Sequence, residues 1–148
     1  MKHVVEYVGN WHGGLKGEGL FQAGELKHDI SVPAEMNGKG VGTNPEELLL
    51  AAASNCYLIT LAISLQMKAI EVTRIELKSE ATVSIGENGP TLDAVTHRPE
   101  VIVTEKRHAD HKEAILSCMQ AAERSCMVSR ALAGNVTVKA EGCVRIGV

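Results

Sequence analysis

The groups in this chain best suited to covalent chemistry are its four thiols, Cys56, Cys118, Cys126 and Cys143. A thiolate attacks electrophilic oxygen or sulfur, and once oxidised it condenses with a second thiol to form a disulfide. No CxxC pair is present, and four unevenly spread cysteines do not make the framework of a disulfide-stapled secreted scaffold. In a reducing cytosol they are expected as free thiols, each either an inert core residue or a reactive group. Cys56 stands in Ala53-Ser54-Asn55-Cys56-Tyr57, in the middle of a long apolar run. A thiol there is ordinarily a small buried hydrophobe whose pKa is raised unless a cation sits nearby. Cys126 opens Cys126-Met127-Val128-Ser129, the expected start of a helix, where unpaired backbone N–H groups favour a thiolate. Spacing alone does not say whether these two thiols meet. Cys118, near Ile115 and Met119, and Cys143, in the last expected strand, read as core thiols. Tyr57, beside Cys56, reads equally as core or as pocket wall.

The elements that must position these groups follow from periodicity and capping. His3–Val8 reads as a strand. A turn-rich stretch with Gly13, Gly14, Gly17 and Gly19 follows and reads as a β-hairpin, since no GxxxxGK[ST] phosphate-loop pattern is present. Short strands are expected at Glu18–Ala23 and Lys27–Val32. Thr43-Asn44-Pro45-Glu46-Glu47 predicts a helix start, with Asn44 as cap, Pro45 at the first helical position and Glu47 three residues after the cap. The helix should run to about Ala69.

From Leu48 to Met67 that helix has no charged side chain, a run of about 20 residues that meets the length of a membrane span. Ser54, Asn55, Thr60, Ser64 and Gln66 interrupt the run, and its flanks lack aromatic or basic anchors. It is therefore read as a central helix covered by protein on every side, with a second subunit supplying part of the cover. Val72–Ile85 alternates as a strand with Ile75, Leu77, Ser79, Ala81 and Val83 on one face. It pairs through a Gly86–Pro90 loop with a strand near Asp93–Thr104. Asp110 with Glu113 predicts a helix over His111–Arg124, a short helix begins near Cys126 and stops before Gly134, and Asn135–Val144 closes the sheet. The order is α+β, without the βαβ rhythm of a parallel sheet.

Composition narrows the function. Lys plus Arg total 15 against 18 Asp plus Glu, a net charge of −3, so there is no electrostatic grip on nucleic acid or anionic lipid. Trp11, Phe21, Tyr7 and Tyr57 are the only aromatics, too few for a base-stacking surface. No secretory signal is visible at the start of the chain, and the length suits one domain over residues 1–148, or two small lobes sharing one core. His108 and His111 are three apart, but Arg107-His108-Ala109-Asp110-His111 reads as a polar loop with no second ligand pair at a zinc-site spacing. Glu105-Lys106-Arg107 reads as a solvated loop.

Thr43-Asn44-Pro45-Glu46-Glu47-Leu48-Leu49, with Cys56 ten residues after Glu46, resembles the helix start that carries the peroxidatic cysteine in the OsmC/Ohr superfamily. Cys126-Met127-Val128-Ser129-Arg130-Ala131-Leu132 resembles that family's second cysteine motif, and Trp11-x-Gly13 with Gly17-x-Gly19 its N-terminal hairpin. The resemblance covers nearly the whole chain. It implies antiparallel sheets around a long central helix in an intertwined homodimer, cytoplasmic, without metal or bound organic cofactor. It further implies reduction of organic hydroperoxides, with hydrogen peroxide as a further oxidant: the Cys56 thiolate attacks the peroxide, Cys126 resolves the resulting sulfenic acid as a disulfide, and an external dithiol of lipoyl type resets the pair. Leu50, Ile59 and Ile63 would wall the alkyl chain of the substrate. Glu46 would act as an orienting carboxylate. The family's hairpin arginine is missing, since no arginine precedes Arg74, and Lys16 is the nearest substitute. Met127 also stands where the family commonly has proline. These departures keep two rivals open: small-ligand binding without turnover, and thiol or persulfide transfer.

Overall fold

A computed structural model describes all 148 residues, Met1–Val148. They form two compact units, residues 1–48 and 49–148.

The first unit is built on three antiparallel strands in the order β1 (Tyr7–Gly9), β2 (Glu18–Ala23) and β3 (Leu26–Ser31). The expected strand over His3–Val8 is present only from Tyr7, because Tyr7 pairs with Ala23, the last residue of β2, and nothing lies beyond it for His3–Glu6 to pair with. A single 3-10 turn, Ala34–Met36, follows β3. The unit ends in the first turn of helix α1 (Pro45–Met67). Asn44 caps it as the sequence implies: its Oδ1 accepts the Glu47 N–H at 2.9 Å. The capping box closes through the neighbouring residue, with the Thr43 hydroxyl donating to the Glu47 carboxylate at 2.9 Å.

α1 continues through the second unit and ends in a Schellman turn, with Ala69 N–H on Gln66 O at 2.9 Å and Ile70 N–H on Leu65 O at 3.0 Å. Ala69 takes the left-handed position, φ 55°, that glycine usually fills. The hairpin β4 (Arg74–Gly86) and β5 (Gly89–Val103) follows, longer than the sequence implies at both ends of its turn. Ile75, Leu77, Ser79, Ala81 and Val83 share the half-buried face of β4, as their alternation requires.

Helix α2 spans Glu105–Ser125, starting six residues before the expected His111. Thr104 is the cap, accepting the Arg107 N–H at 3.3 Å, so Asp110 and Glu113 are an i, i+3 pair inside the helix rather than its start. The residues read as two polar loops, Glu105–Arg107 and Arg107–His111, are its opening turns, and the Arg107 side chain reaches Glu71 at 2.6 Å. The short helix α3 (Met127–Leu132) begins where expected, just after Cys126.

Two last strands, β6 (Thr137–Ala140) and β7 (Cys143–Ile146), run along β5. Both pair with it in parallel, an addition to the expected antiparallel pairing that holds for β1–β2–β3 and β4–β5: the α2–α3 pair serves as the crossover a parallel connection needs. Glu141 and Gly142 break the two apart opposite Pro99, which has no N–H to offer a ladder. A Cβ on Gly142 would lie 2.6 Å from both Met119 Sδ and Pro99 Cγ, so only glycine fits between α2 and β5 there.

The core of this unit joins Tyr57, Leu61 and Leu65 of α1, Val101 and Val103 of β5, Ile115, Cys118, Met119 and Ala122 of α2, and Cys126. The α1 contribution recurs every four residues with Ala53, a stripe down one side of the helix. Truncating such a residue, Leu61→Ala for example, costs about 2–5 kcal/mol. The opposite side is not covered within the chain: Ile59, Ile63 and Met67 are 60%, 49% and 82% exposed. By length and composition alone α1 could still cross a membrane. Its fully buried stripe of core contacts is that of a helix docked on one side.

Candidate active site

Cys56 lies at the border of the two faces of α1. One turn of 100° per residue carries Tyr57 into the core and leaves Cys56 half-buried, on the strip that continues through Ile59, Thr60 and Ile63. Leu50, grouped with Ile59 and Ile63 as a possible wall on sequence grounds, is half-buried and falls on the core side of the helix. The Cys126 thiol, fully buried at the start of α3, lies close enough to Cys56 to help hold its pKa down. The pair bridges about 70 residues of sequence, and all four cysteines are free thiols.

The electrostatics of the pair are asymmetric. Burial acts to raise the Cys56 pKa. The Cys126 thiol, the backbone N–H groups of Val128 and Met127, and the Thr60 hydroxyl all donate to its sulfur and together hold it below the ordinary thiol range. Each of these donors is uncharged. Cys126 moves the opposite way: burial and its role as donor to Cys56 push it up, against weaker help from Ser129 and the Val128 N–H. The Ser129 hydroxyl is buried without a hydrogen-bond partner and sits near enough to Cys126 to oppose that rise.

This reverses the assignment made from residue order. The free amides that open α3, read from the sequence as ionising Cys126, act on both sulfurs: they help hold Cys56 down, while at Cys126 burial and its role as donor to Cys56 outweigh them. Nor does Cys56 behave as a buried inert thiol, although the donors around it are not cations. Thr60 was not recognised from sequence. Its position four residues after Cys56, on the same helix face, is the signal that could have found it.

The remaining candidates divide. Glu46 is half-buried in the first turn of α1. Lys16 is exposed in the turn that Gly17 N–H closes on Gly14 O at 2.9 Å. No ion pair joins the two; the lysine of this unit that finds a carboxylate is Lys39, on Glu18 at 2.7 Å. Cys118 is buried as expected, and burial, opposed only by Lys68, raises its pKa. Cys143 is exposed on β7 and is not the core thiol its strand position suggested, because β7 turns that side chain to solvent. Tyr57 is core, with no exposure at all. His108 and His111 lie on the opening turns of α2.

The fold is an α+β frame whose long helix carries Cys56 beside Cys126 at the start of a short helix. The chain belongs to the OsmC-like protein family, whose pattern matches residues 37–141. It is 38% identical over 145 residues, 98% of this chain and 97% of the relative, to the uncharacterized protein YmaD of Bacillus subtilis (strain 168). Among solved structures it is similar to an organic hydroperoxide resistance protein OsmC from Legionella pneumophila, with TM-score 0.70, 27% identity, and coverage of 99% of this chain and 100% of that one. It is likewise similar to the organic hydroperoxide resistance protein OhrB of Bacillus subtilis, with TM-score 0.71, 25% identity, and coverage of 95% and 98%.

Proposed function

We propose that this protein reduces organic hydroperoxides by a two-thiol cycle. The observation that carries the reading is the half-exposed Cys56, held toward its thiolate by uncharged donors, with the Cys126 thiol already against its sulfur. The Cys56 thiolate attacks the distal oxygen of the hydroperoxide, the O–O bond breaks, and the alkoxide leaves to take up a proton as the alcohol. Sulfur is left as a sulfenic acid, oxidised by two electrons. The Cys126 S–H then condenses with it, forming the S–S bond and releasing water. An external dithiol, lipoyl-type by family resemblance, returns both thiols while itself becoming a disulfide.

The exposed strip beside Cys56, Ile59 and Ile63, offers an apolar bed for an alkyl chain. The same strip with Met67 is the surface a second copy of the chain would cover, so the working unit is read as a homodimer; a monomeric mass in sedimentation would remove that part. Glu46 as an orienting carboxylate and Lys16 as an electrostatic aid complete the proposal. A cytoplasmic location, where thiols are kept reduced, suits the cycle.

The test is consumption of one equivalent of an organic hydroperoxide by the fully reduced protein, followed by disulfide mapping. Loss of peroxide with a Cys56–Cys126 disulfide, abolished in Cys56→Ser, supports the reading. Unchanged peroxide with four free thiols would overturn it in favour of ligand binding or thiol transfer.

A further inference from the structure

Next to the reactive pair lies a buried polar chain that the peroxide cycle does not use. Tyr57, wholly buried, donates its hydroxyl proton to the Met119 carbonyl on α2 at 3.0 Å. Its ring stacks on His97 of β5 with centroids 4.6 Å apart and planes 11° from parallel. The His97 Nδ1 lies 2.8 Å from the Ser79 hydroxyl on β4, while its Nε2, also buried, has no partner. Four elements of the second unit therefore meet in one chain of contacts, and α1 enters it through the residue next to Cys56.

This arrangement costs more than hydrocarbon would in the same space. A buried ring nitrogen without a hydrogen-bond partner lowers stability, and leucine or phenylalanine would carry no such penalty. What the polar chain supplies is direction. Apolar contacts let a helix slide or roll by a fraction of an ångström at little cost, whereas a phenol hydroxyl on one carbonyl and a ring on one ring fix both depth and rotation. Burial keeps His97 neutral and keeps the Tyr57 hydroxyl protonated, the second with help from the nearby Glu123 charge, so both groups hold their roles across the neutral range. Tyr57 also packs in the same cluster as Cys126, with Cys56 against it.

We propose that Tyr57 and His97 are positioning residues that set the depth and rotation of α1, so that the Cys56 sulfur stays on the Cys126 thiol and the opening amides of α3. The inference rests on reading Cys56 as the reactive thiol.

The experiment uses the full-length reduced protein and the variants Tyr57→Phe, His97→Ala and His97→Phe. Alkylation of Cys56 by iodoacetamide is followed across a pH series, resolved by peptide mass spectrometry, with thermal unfolding measured alongside. Tyr57→Phe keeps the ring and loses only the hydroxyl; it is expected to move the midpoint of the Cys56 profile upward by about half a unit to one unit, a threefold to tenfold loss of thiolate below the midpoint. His97→Ala should move it at least as far, and His97→Phe should recover most of the shift by restoring the stack. A folded Tyr57→Phe protein whose Cys56 profile superposes on the wild type would overturn the proposal, and this decides the matter even where His97→Ala does not fold. The profile is read without peroxide. A wild-type protein that leaves hydroperoxide untouched would thus remove the peroxidase reading while this measurement still stands or falls by itself.

Discussion

Cys56 and Cys118 sit on two helices of the same core, and the protein drives their thiols in opposite directions. Both are penalised by lost hydration. At Cys118 that penalty wins, with only Lys68 acting against it. At Cys56 it is outweighed by hydrogen bonds from the Cys126 thiol, the α3 amides and Thr60. The difference lies in what faces the sulfur. Cys118 projects among apolar neighbours of its own core, while Cys56 projects onto the opening of another helix, where backbone N–H groups have no carbonyl to bind. The positive charge that acts on either thiol, Lys68, belongs to the one that stays protonated.

The largest expected effect tests this contrast directly. Near pH 7, peptide-resolved alkylation should modify Cys56 at least about a hundredfold faster than Cys118 in the native protein. Comparable rates would mean that the donors around Cys56 do not govern its reactivity. A finer test removes donors one at a time. Met127→Pro deletes one N–H at the first position of α3, which proline tolerates, and should raise the Cys56 pKa by about half a unit to one unit. Thr60→Val, which swaps a hydroxyl for a methyl at nearly constant volume, should raise it by less. A shift larger for Thr60→Val than for Met127→Pro would reverse the ranking of side-chain and backbone donors.

The smallest effect concerns stability. Burial lowers the His97 pKa, so as pH falls the unfolded chain takes up the proton first. The stabilising contribution is complete above about pH 6.5 and declines below it. Urea midpoints between about pH 7 and pH 5 should fall less steeply in His97→Phe than in wild type; parallel curves would show that His97 does not carry the dependence.

The parts of the fold written in local signals were legible. Asn44 and Pro45 announce α1, alternation marks the inner face of β4, and β2 falls on the residues expected. Where two local signals competed, the weaker-looking one won: Asp110 and Glu113 imitate a capping box, yet Thr104, followed by three residues able to continue a helix, begins α2. The meeting of Cys56 with Cys126 entered through family resemblance rather than through spacing. Which sulfur lies over the α3 amides depends on how two helices cross, and neither segment encodes that alone. The parallel pairing of β6 and β7 was hidden for a similar reason, because a short alternating strand carries no mark of its direction. Thr60 and the Tyr57–His97 stack look like ordinary helix and core residues until their neighbours are known.

The complete burial of Cys126 beside a half-open Cys56 has a consequence for how an oxidised pair would be released. An incoming thiol approaching from solvent meets the sulfur of Cys56, and must then expel Cys126. That is the poorer leaving group of the two, since its environment resists negative charge. Attack at Cys126 would expel the better one, but that sulfur is shielded. Access and leaving-group ability therefore select opposite ends of the bond. Bulk monothiols would reduce it slowly, and the advantage passes to a dithiol, whose second sulfur closes on the first and draws the exchange forward.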